Sequence, residues 1–265
     1  MTLSATPCPR AVPSNPPTET ARRHSVVWAG SLAAALLLWI VPWLPAMPSD
    51  SLDAGWALGL SIACERHLAF GSSLLFTYGP LGCLTTWQYW PALYGPAIVL
   101  WSAITLLTVA LLVEMQGTPG QRITGAVALA WLGMTPDTAL LALPVMVVLH
   151  AANTRHATAA SWLAVAVLAA VALTKFTLFP LCLASVSAAA LLRHSGRLRS
   201  IAVELGLFGV ALLLVWVLLA RQQLADFPDW LRGAAEISAA YSQAMANPDG
   251  SRPPGSKVHQ TLPYD

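Results

Sequence analysis

From Val26 onward the chain returns repeatedly to long apolar runs separated by short polar intervals. Val26–Met47, Ala97–Val113, Ile123–Thr135, Thr138–Ala152, Ala157–Thr174, Phe176–Leu192 and Ile201–Ala220 make about seven hydrophobic elements, the last with Glu204 near its start. In hydrocarbon the backbone must satisfy its own polar groups, so such runs fold as helices. Composition agrees: 56% of residues are hydrophobic and 10% charged, against about 25% charged in soluble domains. The expected fold is all-α, a polytopic transmembrane helical bundle with interfacial amphipathic helices on its outer face.

Residues 1–25 are rich in Pro, Ser and Thr without periodicity and read as a disordered tail. The transmembrane domain is expected over 26–246, with a first outer loop at 48–95, and a second polar tail over 247–265. Val26–Met47 follows Arg22-Arg23-His24 and reads as an uncleaved signal anchor; its length and poor small-x-small pattern disfavour a cleaved signal peptide. Ile123–Thr135 and Thr138–Ala152 are short for spans and suggest a hairpin with Thr135-Pro136-Asp137 at its tip.

Arginine placement sets the orientation. With the N-terminus in the cytoplasm, Arg22 and Arg23, Arg122, Arg155, and Arg193 with Arg197 and Arg199 all fall on the cytoplasmic side. The opposite, outer side then holds Asp50, Asp53, Glu65, Arg66, Asp137, Lys175, Arg221, Asp226, Asp229, Arg232 and Glu236. Trp87, Tyr89, Trp90 and Tyr94 fit an interfacial aromatic belt there. A bacterial inner membrane is the expected location and membrane lipids are the expected partners. The net charge of +2, with no basic groove, argues against nucleic acid.

The first outer loop carries the densest chemistry. Leu52, Trp56, Leu60 and Ala63 recur at helical spacing. Asp50 and Asp53 stand at the start of that stripe, where carboxylates cap free amides and suit the helix dipole. They read either as ordinary caps or as fixed carboxylates at the membrane surface. In the second reading Asp53 takes a proton from a sugar hydroxyl or holds a divalent cation. Asp226 and Asp229 repeat the spacing and are the metal candidates, ahead of a second amphipathic stripe through Trp230, Ala234, Ile237 and Tyr241. Lys175, between two apolar runs, marks a turn with a snorkelling lysine or an intramembrane cation with a phosphate partner. Phe76–Gly82 is a turn by its Gly-Pro and second glycine, and its Tyr78 either stacks on a sugar or anchors at the interface. Cys64 and Cys83 share the loop and a disulfide is open to them. Cys182 reads as a small apolar residue and His150 as a packed or hydrogen-bonded one. Nucleotide-loop, zinc-protease and serine-hydrolase signatures are absent from the sequence.

With those residues in view, the layout resembles the C-class (GT-C) membrane glycosyltransferases. Leu52-Asp53-Ala54-Gly55-Trp56 followed by Phe76-Thr77-Tyr78-Gly79-Pro80-Leu81-Gly82 is similar to the first outer loop of bacterial relatives of that class. Leu173-Thr174-Lys175-Phe176-Thr177 and Glu236–Ser242 also look like its segments. The resemblance implies transfer of a sugar from a polyprenyl-phosphate donor to an envelope glycan or lipid. It makes Asp53 the catalytic carboxylate and Lys175 a candidate for the donor phosphate, while Tyr78, Asp137 and Asp50 are substrate-binding candidates by their place on the outer face. The chain has fewer spans than such enzymes usually have, so a truncated member is expected. Two other classes stay open: a non-catalytic membrane scaffold or inactive fragment, and a transporter component. A divalent cation is the cofactor candidate, and the polyprenyl-phosphate sugar enters as donor substrate.

Overall fold

The computed structural model describes residues 19–49, 52–115, 125, 127, 130, 135–154 and 156–246, with backbone alone at 19–26, 52–53 and 241–246. The described residues are helical with irregular connections, and hold isolated bridges but no strand. Asp50 and most of the Ile123–Thr135 hairpin arm lie outside them, as do both chain ends.

Helix α1 spans Glu19–Ile40. It starts inside the stretch read as tail and stops before Val41–Met47. The stop has a local cause: Pro42 disfavours helical backbone in the residue before it and cannot donate to a continuing helix. Helix α2, Leu52–Glu65, realises the first-loop stripe, with Leu60 and Ala63 buried and Trp56 half-buried. Helix α3 runs from Pro91 to Glu114 and extends well N-terminal of the apolar run, because Pro91 at its first position is compatible with a helix start. Helix α4 is Pro136–Thr154, α5 is Ala159–Ala172 and α6 is Leu178–His194. Helix α7, Leu198–Leu214, passes into a π-helical turn at Val215–Leu219, and α8 covers Asp226–Ala246.

Helices Pro91–Glu114, Pro136–Thr154 and Leu198–Leu219 are long and apolar enough to cross a membrane; Val27–Ile40, Ala159–Ala172 and Leu178–His194 are shorter apolar helices. The exposed flank of α7 and its π-helical turn, with Val203, Leu207, Val210, Leu214 and Leu218, makes a contiguous apolar surface of the kind that marks a membrane or partner contact. The length and composition of these helices suggest a membrane protein.

The bundle is built around α5, which touches α3, α4, α6 and α7. Ala164, Ala169 and Ala172 are fully buried, and their small side chains let neighbouring helices come close. Leu168 and Leu173 fill the remaining space with Trp101, Leu107 and Leu111 of α3 and Leu140 and Leu143 of α4. A Thr158–Ser161 capping box starts α5, each side chain accepting from the other's backbone N–H.

At the end of the bundle where α4 and α6 begin, the first loop, the α5–α6 turn and the start of α8 meet. Trp230 of α8 is buried and packs edge-on against Phe176 and Phe179 and beside Trp216. At the opposite end Arg193 and Glu204 form a buried ion pair, and His194 Nε2 lies 3.0 Å from Glu204 Oε2. There too His150, fully buried, places Nε2 2.9 Å from Glu114 Oε2, matching its reading as a hydrogen-bonded residue.

Candidate functional site

The Phe76–Gly82 turn is laid along the α5–α6 connection. Gly79 N–H donates to Thr174 O at 3.0 Å, Leu81 N–H to Leu173 O at 3.1 Å, and Phe176 N–H to Thr77 O at 2.8 Å. Tyr78 and Lys175 form an antiparallel bridge. Glycine is what permits this approach. A Cβ at Gly79 would collide with the Leu173 carbonyl, and one at Gly82 would lie 2.6 Å from Thr174 O.

That pairing brings together three residues far apart in sequence. Lys175 Nζ donates to Asp137 Oδ2 at 2.9 Å. The same ammonium lies 5.0 Å from the centre of the Tyr78 ring, within cation–π range. Tyr78 in turn stacks on Trp56 at 4.9 Å and Phe76 at 5.7 Å. Asp137 occupies the first turn of α4, where negative charge suits the helix dipole, and Thr135 Oγ1 accepts from Thr138 N–H just before it. Lys175 lies in the turn between α5 and α6.

Burial of the Lys175 stem pulls its pKa down. The hydrogen bond to Asp137, then the charges of Tyr78 and Asp137 and a hydrogen bond with Tyr78, outweigh that effect. Its pKa therefore lies above the ordinary lysine value of 10.5 and the group is a fixed cation. Both members of the pair keep access to solvent, with side-chain exposures of 25% for Lys175 and 52% for Asp137. The Tyr78 ring lies between the Lys175 ammonium and the Trp56 ring.

The other sequence candidates divide. Asp53 is in the first turn of α2, one turn ahead of Trp56; its side chain lies outside the described residues, and Asp50 lies wholly outside them. Asp226 and Asp229 open α8 but are engaged elsewhere: Ser72 O–H donates to Asp226 Oδ1 at 3.0 Å, and Asp229 pairs with Arg232 at 3.7 Å. No group of three or more His, Cys, Asp or Glu suited to a metal occurs among the described residues. Cys64 and Cys83 are joined as a disulfide that ties the end of α2 to the turn before α3. The aromatic residues before and at the start of α3 also cross-link the loop: Trp90 Nε1–H donates to Glu65 Oε2 at 3.2 Å and Tyr94 O–H to Trp43 O at 3.0 Å.

Sequence reasoning passed over a second group at this end. His67 and Arg221 both adopt left-handed backbone, with φ of 51° and 53°. Arg221 Nη1–H donates to His67 Nε2 at 3.3 Å. The neighbouring Gln222 is buried and clamps the two segments: its Oε1 accepts from Phe70 N–H at 2.9 Å and its Nε2 donates to Leu68 O at 3.2 Å. The only sequence signal was the abrupt Arg221-Gln222-Gln223 after an apolar run. Comparison of the chain with protein-family models, with curated proteins and with solved structures finds no match.

Proposed function

We propose that the chain is a GT-C-like integral membrane glycosyltransferase that moves a sugar from a polyprenyl-phosphate donor to an envelope glycan or lipid. The observation that carries this reading is the meeting of Tyr78, Lys175 and Asp137 on one ledge, walled by Trp56 of the helix that begins beside Asp53. In this reading seven hydrophobic elements cross a bacterial inner membrane with the N-terminus in the cytoplasm, as the arginine pattern indicates. The ledge then faces outward. Asp53 accepts the proton of the acceptor hydroxyl as its oxygen bonds the sugar's anomeric carbon. The bond from that carbon to the phosphate oxygen breaks, and the polyprenyl phosphate leaves with the electron pair. Lys175 offsets charge on the departing phosphate, and Tyr78 presents a ring face to the sugar.

The test is transfer of labelled sugar from polyprenyl-phosphate donor in membranes containing the protein. Base catalysis contributes about 10²–10⁴-fold, so Asp53→Asn should remove most transfer. Transfer at the wild-type rate would take Asp53 out of the mechanism.

A second reading has its own support. The ledge is internally paired, cation to carboxylate and ring to ring, as a structural brace would be. A non-catalytic membrane scaffold is the function that fits a brace. It requires that the wild-type protein show no transfer and that Lys175→Ala lower thermal stability while Asp53→Asn assembles normally.

A further inference from the structure

At the end of the bundle away from the ledge, the hairpin between α6 and α7 reads Arg193-His194-Ser195-Gly196-Arg197-Leu198-Arg199. Arg193 and His194 form the last turn of α6, Ser195 and Gly196 turn the chain with φ of 45° and 86°, and Arg197 caps α7. Arg193 is buried, whereas Arg197 and Arg199 are exposed. What answers these three guanidinium charges decides what the hairpin can hold. Glu204, the carboxylate that α7 brings to this end, is buried and engaged at both oxygens. Arg193 Nη1–H donates to its Oε1, and His194 Nε2 lies 3.0 Å from its Oε2. Glu114, the other carboxylate at this end, lies against His150. Arg197 and Arg199 therefore form no ion pair among the described residues. The buried Nε and Nη2 of Arg193 also lack a hydrogen-bond partner there. Nor does a side chain cap the first-turn amides of α7. The hairpin tip is rich in donors and short of acceptors.

The apolar side chains around the tip set its surroundings. Leu191, Leu192 and Leu198 flank the turn and are 56%, 43% and 80% exposed, and Val203 opens the exposed flank of α7 a turn later. A hairpin that is apolar up to its last turn and basic at its tip fits the boundary between hydrocarbon and headgroups. There an arginine stem lies along acyl chains while its guanidinium reaches the phosphate level. The arginine pattern puts this tip on the cytoplasmic side, where juxtamembrane basic residues meet anionic lipid.

We propose that the α6–α7 hairpin binds an anionic phospholipid, its headgroup phosphate held by Arg197 and Arg199 and its acyl chains lying against Leu191, Leu192 and Leu198. Guanidinium binds phosphate oxygens through paired N–H donors, and two such groups without a carboxylate leave a positive charge for the lipid to balance. A zwitterionic lipid carries its own cation and gains less. Free phosphate has no chains to cover the leucines. Such a lipid fastens the tips of α6 and α7 to one leaflet. The site lies at the opposite end of the bundle from Tyr78 and Lys175 and stands whether or not the chain transfers a sugar.

The experiment is native mass spectrometry and thermal melting of the whole protein in phosphatidylcholine nanodiscs, with phosphatidylglycerol, phosphatidylethanolamine or inorganic phosphate added. Wild type should retain phosphatidylglycerol and gain thermal stability from it, retain phosphatidylethanolamine at least about fivefold less, and gain nothing from inorganic phosphate. Arg197→Gln should lose about fivefold in phosphatidylglycerol affinity, and Arg197→Gln with Arg199→Gln about thirtyfold. The matching pair of lysine substitutions should recover most of it, because the charge is kept. Arg232→Gln, in α8 at the ledge end, should bind as wild type. Retention by wild type should also fall as salt rises from about 0.05 to 0.5 M, a measurement that holds even if the glutamine pair fails to fold. Equal retention of the two added lipids, undiminished phosphatidylglycerol binding by the glutamine pair, or indifference to salt overturns the proposal. So does a loss in Arg232→Gln as large as in the pair, or equal stabilisation by inorganic phosphate, which would make this a site for a soluble anion.

Discussion

Lys175 Nζ donates to Asp137 Oδ2 across 38 residues of sequence and fastens the turn between α5 and α6 to the first turn of α4. For a partly exposed pair, a double-mutant cycle with Lys175→Ala and Asp137→Ala should give a coupling of about 0.5–1 kcal/mol in thermal unfolding. The pH dependence has a definite sign. Because the folded pKa of Lys175 is raised above 10.5, its contribution is complete below that value and is lost only as pH climbs through the higher folded value. Melting temperatures between about pH 6 and 9 should show no slope from this group, and Lys175→Ala should flatten any loss of stability seen above about pH 10.5. A slope that survives the substitution would belong to another residue.

Gly79 is where the first loop touches the bundle most closely. Gly79→Ala places a methyl against the Leu173 carbonyl and must displace the Gly79–Thr174 and Leu81–Leu173 hydrogen bonds. The expected loss is about 2–3 kcal/mol, with Tyr78 fluorescence or crosslinking reporting its separation from Lys175. A wild-type melting curve would mean that the loop rests less tightly on the turn.

The Cys64–Cys83 disulfide closes a loop of sequence separation 19 around Phe76–Gly82. A bridge of that span stabilises by about 3 kcal/mol in the chain-entropy picture. Cys64→Ser with Cys83→Ser should lower the melting temperature in detergent by a matching amount. Alkylation followed by mass spectrometry should find both thiols blocked until a reductant is added; free labelling of either without reductant would contradict the bridge.

Glu204 is the counter-charge of Arg193, and the guanidinium Nε and Nη2 find no other partner among the described residues. Glu204→Ala leaves a buried cation alone and should cost about 3–5 kcal/mol. Replacing both by leucine removes the charge and should restore most of that stability. If the single and double variants melt alike, the pair is not what holds α6 to α7.

The sequence by itself determined the class. Apolar runs without charge leave helices as the way to satisfy the backbone, and the structure has helices across every described run, with boundaries moved where Pro42 and Pro91 act locally. It also picked out Asp137, Lys175 and Tyr78, because ionisable and aromatic groups stand out against so apolar a background. What it could not supply was their partners. Periodicity tells which face of α2 is buried, but nothing in Leu173–Thr177 encodes that Phe76–Gly82 will lie along it. The meeting of His67 with Arg221, 154 residues apart, likewise depends on α7 ending over the first loop. Such contacts arise from how helices stack, and stacking is decided by the joint fit of many side chains, such as the alanines of α5 and the Trp216–Trp230 pair, and not by any local pattern.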